Sequence, residues 1–463
     1  METVALVLAA GEGTRMKSES PKVLHQLLDR PMLAYVLGAV EEAEITRTTV
    51  VIGHGANSVR EYLGDRAGHV VQEQQLGTGH AVMAARDALS GVAGTLFVVS
   101  GDTPLLRSET IANLLEEHES HSAAATILTS IPPDPTGYGR IVRDEEGHVA
   151  RIVEHRDAGP EELEICETNS SIYCFDAPRL FSALERLDRA NVQGEYYLTD
   201  VIGIMATDGE TIASHLAKDF TETLGINSRR QLAEALSVLQ ARVNERWMDE
   251  GVSIMDPAQT WIGIDVDLDR DVQLLPQTYL LGSTSVGSGT TVGPNVRVID
   301  SRIGRDCLIE QAHIRGSAIE DGVNVGPFCS LRPGTVLRSG SKAGTFVEMK
   351  KTEVGEGSKV PHLSYMGDAT IGRDANVGAG TITCNYDGVR KYPTEIGDKA
   401  FIGSDTMLVA PVRVGEGAVT GAGSAITKDV PPEGLGIERA SQKNIEGWAK
   451  RRRGGKDERT SET

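Results

Sequence analysis

At 463 residues and a formal net charge of −20, the chain exceeds the roughly 250–300 residues that one hydrophobic core usually serves; two domains are expected, and general nucleic-acid binding is excluded unless a basic patch is set apart. Five cysteines without a CxxC pair or metal-type histidine spacing imply free thiols in a reducing cytoplasm, with neither disulfide nor zinc. Nothing approaches the roughly 20 apolar residues of a membrane span, and the apolar start lacks the basic flank of a signal peptide, so a buried strand in a soluble cytoplasmic protein is expected.

Between residues 4 and 227, strand-like apolar runs (4–9, 48–52, 95–100, 123–128) alternate with helical periodicity (32–43, 79–89, 109–118). Strand then helix, repeated, predicts an α/β domain with a doubly wound, Rossmann-like sheet whose ligands sit at the carboxyl ends of the strands. Two such ends carry chemistry. After the first run come Gly11, Gly13, Arg15 and Lys22. The glycines let backbone amides approach a phosphate, and the cations supply fixed positive charge for a triphosphate or a departing pyrophosphate. The loop lacks the GK[ST] of a Walker loop, and a bare Gly-x-Gly also serves ordinary tight turns. The run 95–99 leads into Ser100-Gly101-Asp102. A carboxylate there suits Mg²⁺, which binds through one or two carboxylates plus phosphate oxygens, and equally suits the cap of a following helix.

Residues 8–16 with Lys22, then Gln72, Gly77 and Thr78, Gly101-Asp102, residues 136–140, Glu154, Asn169 and Asn227 occur in an order that resembles the sugar-nucleotide pyrophosphorylases. The resemblance implies a nucleotidyltransferase domain over residues 1–227. It puts Leu8, Gly11, Gly13, Arg15 and Lys22 at the nucleotide, with Gln72, Gly77 and Thr78 at the uracil of UTP. Gly139, Glu154 and Asn169 would hold the sugar, and Asp102 and Asn227 the Mg²⁺, Asn227 also lying with the UTP and sugar contacts. Glu12 stands where that family often has a basic residue. The implied reaction is attack by a sugar 1-phosphate oxygen on the α-phosphorus of a nucleoside triphosphate. Such transfers depend on alignment and charge neutralisation, so Arg15 and Lys22 would be the catalytic side chains and no nucleophile is needed.

Residues 228–250 predict one linker helix, with Leu232, Leu236, Leu239 and Val243 on one stripe. Beyond it the chain repeats an aliphatic residue followed by glycine: Val286-Gly287, Val292-Gly293, Ile303-Gly304, Val325-Gly326, Ile371-Gly372, Val377-Gly378, Ile396-Gly397, Ile402-Gly403, Val414-Gly415. A hexapeptide period of this kind predicts an all-β domain over 251–440, a left-handed parallel β-helix of three-sided coils, with glycine serving the corners. Residues 383–395 do not thread into that shaft and are expected to protrude. They carry Asn385, Tyr386, Arg390, Lys391 and Tyr392, a set suited to a sugar phosphate. Upstream lies His362, the last histidine of the chain; taken alone, a histidine there reads equally as a structural surface residue.

Arg332, Glu348 to Lys350, His362 to Tyr365, Asn376 to Thr381, Cys384 to Gly388, Ser404 and Ala422 resemble the family of bifunctional N-acetylglucosamine-1-phosphate uridylyltransferase/glucosamine-1-phosphate acetyltransferases, and the first half matches that family too. The resemblance implies glucosamine 1-phosphate on Arg332, Lys350, Tyr365, Asn376, Asn385 and Tyr386. It implies acetyl-CoA on Ala379, Asn385, Tyr386, Ser404, Ala422 and Arg439. His362 would be the general base, since acetyl transfer needs a neutral amine and an imidazole, of ordinary pKa about 6.5, can take its proton at cellular pH. Glu348 would orient the amine or the imidazole. The acetylated product, N-acetylglucosamine 1-phosphate, would then be coupled to UTP. A homotrimer is implied, with acetyl-transfer sites built from more than one chain and no nucleic-acid or membrane partner. Two rivals remain on sequence alone. One is a single-activity pyrophosphorylase whose solenoid regulates or oligomerises, which would need neither the loop nor His362. The other is a scaffold without activity, against which Arg15, Lys22, Asp102 and Asn227 stand. Residues 441–463 form a basic tail expected to be solvated and partly disordered.

Overall fold

Apolar runs buried on both faces set the first half of the chain. The strands are β1 (Thr3–Ala9), β2 (Arg47–Ile52), β3 (Gly68–Val71), β4 (Thr95–Ser100), β5 (Ala125–Ser130), β6 (Arg140–Arg143), β7 (Val149–Val153), β8 (Thr168–Asp176) and β9 (Ile212–Leu216). In this computed structural model, which describes residues 2–457, they form a sheet of order β9-β5-β8-β4-β1-β2-β3, with β6 and β7 as a side ribbon. β1 lies parallel to β2 and β4, whereas β8 runs antiparallel to β4 and β5, so the sheet is mixed. Val4 and Leu6 of β1 enter one core and Ala5, Val7 and Ala9 the other, the period-two alternation of a strand covered on both sides. The helices α1 (Met32–Glu42), α2 (Ala56–Leu63), α3 (Thr78–Ala84), α4 (Ser108–Ser120), α5 (Ala177–Leu184) and α6 (Asp200–Thr207) supply those cores. The helix expected over 79–89 stops as α3 at Ala84, because its bonds tighten there to i−3 partners, Ala85 to Val82 and Arg86 to Met83.

α7 (Arg229–Asp249) occupies the expected linker, and the two compact units divide inside it, between Val243 and Asn244. On the first side Arg242 donates to the Leu105 carbonyl and to Asp219. On the second, Asn244 Nδ2 donates to the carbonyls of Pro257 and Thr260. Ala235, Leu239, Val243 and Trp247 are its buried apolar residues, four apart, while Leu232 and Leu236 are only half-buried.

The second unit is a left-handed parallel β-helix. Its described strands form three parallel sheets of eleven, ten and nine strands, starting at Ser253–Ile254 (first face), Thr260–Ile262 (second face) and Asp267–Leu268 (third face). Up to the last coil, each strand pairs with the third one after it. The aliphatic partner of every Val/Ile-Gly pair points into the shaft and is buried. In most of these pairs the glycine that follows answers to coil spacing: a Cβ on Gly287 would lie 2.7 Å from the Gly304 carbonyl carbon, and one on Gly378 2.5 Å from the Ser404 nitrogen, while Gly293 and Gly326 also carry positive φ, 117° and 106°. Many left-handed corners fall instead on Asp306, Phe328, Phe346, Leu363 or Asp374. The excursion is shorter than 383–395. Thr383 and Cys384 stay in the second face against Leu408 and Val409, and Thr394 and Glu395 already pair with Ala369 and Thr370, leaving 385–393 outside the shaft.

In the tail, where partial disorder is expected from composition, α8 (Trp448–Asp457) is helical; residues 458–463 lie outside the described residues. The five cysteines are free, and no helix among the described residues is long and apolar enough to cross a membrane.

Candidate active sites

β1 and β4 lie side by side, Leu8 opposite Ser100, and Gly101 N donates to the Leu8 carbonyl at 2.9 Å. Their carboxyl ends therefore open at one place. Gly13 is left-handed, φ 63°, and a Cβ there would meet Lys22 Cβ at 2.7 Å, while nothing lies within 4 Å of a Cβ on Gly11. Gly13 is thus needed for the turn, and Gly11 leaves the backbone open to a ligand. Gly77 is also left-handed and packs on the Tyr196 carbonyl. The buried Gln72 amide donates to the Gly77 carbonyl at 3.2 Å, and Thr78 Oγ1 accepts from Leu198 N at 3.0 Å.

Two cavities result. One, of about 580 Å³, is lined by Leu8, Gly11, Gly13, Lys22, Gln72, Gly77 and Thr78; the other, of about 280 Å³, by Arg15, Gly139, Glu154, Asn169 and Asn227. Ser100 and Asp102 line both. The residues expected at nucleotide and sugar thus separate into adjoining compartments, except that Arg15 stands in the second. Asp102 is at the junction. Its carbonyl accepts from Ile226 N at 2.9 Å, which brings up Asn227. The Lys22 ammonium pairs with the Asp102 carboxylate and donates to Asn227 Oδ1 at 3.0 Å. One cation therefore already bridges the two oxygens expected to bind a metal.

Glu154 accepts from Thr199 Oγ1 at 3.1 Å, and burial raises its pKa above the ordinary carboxylate value. Asn169 Nδ2 donates to the Tyr173 hydroxyl at 2.8 Å. Sequence reasoning missed Ser100, Tyr138 and Gln231, all lining the smaller cavity. Burial pushes the Tyr138 phenol pKa up, and Gln231 Oε1 accepts from Asn227 N at 2.9 Å. Arg140 was also without a role. Its buried guanidinium donates to the Pro135 carbonyl at 2.8 Å and to the Tyr138 carbonyl, shaping the 136–139 loop; nothing in the short strand Arg140–Arg143, which it opens, marked it in the sequence. Among the described residues the one trio of potential metal ligands is Asp144, Glu146 and His148, all exposed and lining neither cavity.

In the second unit, register places the remaining candidates. On the first face Thr345 pairs with His362 and Lys359 with Asn376, which sets His362 against Ala379. Asn376 pairs with Phe401 and Val377 with Ile402, setting Ala379 against Ser404, and Phe401 pairs with Val419, setting Ser404 against Ala422. The bonds agree: the carbonyls of His362, Ala379 and Ser404 accept from Gly380, Asp405 and Gly423. His362, exposed, thus stands at the foot of a column Ala379–Ser404–Ala422, and Arg439 donates to the Ala422 carbonyl at 3.0 Å.

Round the next corner, on the second face, Glu348 pairs with Tyr365 and Lys350 with Gly367. Arg332 donates to Glu348 at 2.9 Å. A Cβ on Gly367 would meet the Tyr365 hydroxyl at 2.4 Å and Asn385 Nδ2 at 2.6 Å, so this glycine is what lets those two side chains fold over the strand. Asn385 donates to Asp368 at 2.6 Å. Lys391, on the loop, lies beside Lys350 and lowers its pKa. The chain therefore gathers Arg332, Lys350, Tyr365 and Asn385. It does not bring Asn376 to them, since Asn376 belongs to the first face, and Tyr386 stays exposed with its hydroxyl on the Gly388 carbonyl.

Residues 5–195 match the family of MobA-like NTP transferase domains. Over 97% of this chain and 98% of its own length, the bifunctional protein GlmU of Heliobacterium modesticaldum is 51% identical. The protein of that name from an Exiguobacterium strain is 48% identical over 97% of this chain and 100% of its own length. That of Desulfitobacterium hafniense strain DCB-2 is 49% identical over 97% of this chain and 99% of its own length.

Proposed function

The chain belongs to the GlmU family of bifunctional proteins, and we propose that its β-helix unit acetylates glucosamine 1-phosphate from acetyl-CoA while its N-terminal unit couples N-acetylglucosamine 1-phosphate to UTP. The observation that carries the second assignment is the junction at Asp102, where the two cavities meet and Lys22 and Asn227 converge. The larger cavity suits the nucleotide, with its base on Gln72 and Gly77 and its phosphates along the Gly11 to Gly13 backbone, and the smaller suits the sugar beside Glu154 and Asn169. A phosphate oxygen of the sugar phosphate attacks the α-phosphorus, the bond to the β-phosphate oxygen breaks, and pyrophosphate leaves. Lys22 balances the charge as it moves to the leaving group, and Arg15, which lines the smaller cavity, would act from the side of the sugar phosphate. Asp102 and Asn227 fit a divalent cation, taken to be Mg²⁺, because a carboxylate and an amide oxygen already converge on the Lys22 ammonium. Bound there, Mg²⁺ would neutralise phosphate charge and orient the phosphates.

In the second unit the amine of glucosamine 1-phosphate attacks the thioester carbonyl of acetyl-CoA. The amine proton passes to His362, the carbon–sulfur bond breaks, and the thiolate leaves and is protonated. Arg332, Lys350 and Lys391 would hold the sugar phosphate, with the pantetheine arm along the Ala379–Ser404–Ala422 column and Arg439 near it. A homotrimer accounts for two further features. Asn376 lies on a different face from Lys350, so a second copy is needed to bring such a residue to the sugar. Phe328, Phe346 and Leu363 sit on successive left-handed corners, 54%, 54% and 60% exposed, with the two rings stacked at 5.0 Å. Apolar side chains in that conformation and exposure call for cover, and Leu363 follows His362 directly. The cytoplasm is the proposed compartment, in keeping with five free thiols. Two assays of the purified chain test this reading: pyrophosphate release from UTP and N-acetylglucosamine 1-phosphate with and without Mg²⁺, and thiol release from acetyl-CoA with glucosamine 1-phosphate. Failure of either removes that activity.

A further inference from the structure

On the second face of the β-helix a depression of about 310 Å³ is lined by Arg297, His313, Arg315, Ser330 and Arg332, with Ile299 beside them on the outer side and Leu331 beneath. Among the described residues no carboxylate lines it. Arg297 is opposite His313, and Ile299 opposite Arg315. Ile314 is opposite Leu331, so Arg315 faces Arg332. His313 and Arg315 are two apart on one strand and point to the same side. Three guanidiniums and an imidazole therefore occupy adjacent points of a lattice whose strands are about 4.8 Å apart. Like charges placed opposite one another across strands oppose pairing. Arg332 is relieved by Glu348 at 2.9 Å, but Arg297 and Arg315 have no ion pair among the described residues, in a chain whose net charge is −20.

We propose that this depression is a second anion site of the β-helix, taking a small ligand that bears a phosphate or diphosphate group. The planar guanidinium fork matches phosphate oxygens two at a time, and two such forks, Arg297 and Arg315, stand on one face without a carboxylate partner among the described residues, while Arg332 beside them is already paired with Glu348. A bound anion would also remove the repulsion between the stacked cations. The site adjoins the proposed sugar-phosphate contacts at Arg332 without depending on that assignment, since Arg297, His313 and Arg315 have no part in either reaction.

The test is titration of the full-length protein with inorganic pyrophosphate in the absence of divalent cations, followed by calorimetry and by the thermal unfolding midpoint. All proteins carry Lys22→Met, so that the first unit's phosphate site is silenced. Pyrophosphate is expected to bind and to raise the midpoint, and Arg297→Gln with Arg315→Gln to weaken binding at least tenfold while leaving acetyl transfer within about twofold. Without ligand the double variant is expected to be at least as stable as its parent, because two like charges have left the stack. Ser330→Asp, which sets a carboxylate between His313 on one side and Glu348 on the other, should also block pyrophosphate. Parallel titrations with glucosamine 1-phosphate and with UDP separate the sources: tighter binding of either than of pyrophosphate, lost in the same variant, assigns the site to that metabolite. Unchanged pyrophosphate binding in both variants overturns the proposal. So does loss of self-association with pyrophosphate binding intact, which would make a second copy's carboxylates the occupant.

Discussion

Replacing Lys22 by methionine keeps the length of the side chain and deletes the ammonium that joins Asp102 to Asn227. The Lys22 and Asp102 side chains are 13% and 14% exposed, between a surface pair worth about 0–1 kcal/mol and a buried one whose disruption costs about 3–5 kcal/mol. A hydrogen bond to a charged group, about 1.5–3 kcal/mol, is the fitting scale. At roughly 2–4 °C per kcal/mol for a unit of this size, unfolding of the first unit should move down by roughly 3–12 °C. Adding Mg²⁺ should restore more stability to the variant than it adds to the wild type, because the freed carboxylate and Asn227 Oδ1 can then take the cation. Uridylyl transfer should fall about 10²- to 10³-fold, the usual loss for one electrostatic group aimed at developing charge, with acetyl transfer unchanged. Calorimetric scans with and without Mg²⁺ and the two activity assays read these effects. Equal loss of both activities, or no extra stabilisation by Mg²⁺, would refute the reasoning.

His362→Ala should lower acetyl transfer about 10²- to 10⁴-fold and leave uridylyl transfer intact, as read by thiol and pyrophosphate release from one preparation; retention of acetyl transfer would remove His362 as the base. Burial raises the Glu154 pKa, so the unfolded chain gives up this proton at lower pH than the folded one. The stability this group contributes is fully present below the ordinary carboxylate pKa and is lost as pH rises through the raised value. Glu154→Gln should therefore stabilise the first unit at neutral pH and lose that advantage in acid, while sugar binding weakens; a pH-independent difference in unfolding midpoint would contradict this. In Gly378→Ala the new methyl would fall 2.5 Å from the Ser404 nitrogen. The coil would have to open at a cost of about 1–3 kcal/mol, visible as a lower midpoint for the second unit alone.

The parts of the molecule legible in the sequence are those written as periodic burial. The apolar runs at 4–9 and 95–100 alternate between two cores, and each aliphatic residue of the Val/Ile-Gly pairs fills the shaft. Strand direction is not written that way: Thr168–Asp176 begins with four polar residues and runs antiparallel, which no periodicity encodes. The role of the repeat's glycine was only partly legible, because the sequence marks a residue without a side chain and only the structure separates close coil spacing, as at Gly287 and Gly378, from positive φ, as at Gly293 and Gly326. At the sites, Asp102, Lys22 and Asn227 could be chosen as separate motifs, but their convergence across more than 200 residues of chain is a product of the Ile226 to Asp102 backbone bond. That Asn376 and Lys350 belong to different faces needs the register of both; the resemblance implied sites shared between chains, but which residue is set apart from the others was not legible until the coils were paired.

The claim that one chain holds two independent reaction sites is tested most directly by complementation. Full-length His362→Ala and full-length Asp102→Ala are each supplied with glucosamine 1-phosphate, acetyl-CoA, UTP and Mg²⁺, separately and then mixed. Each alone should make almost no UDP-N-acetylglucosamine, and the mixture should make it at a rate set by the intact site of each partner. A mixture as inactive as its components, or a single variant that loses both half-reactions, would contradict the two-site account.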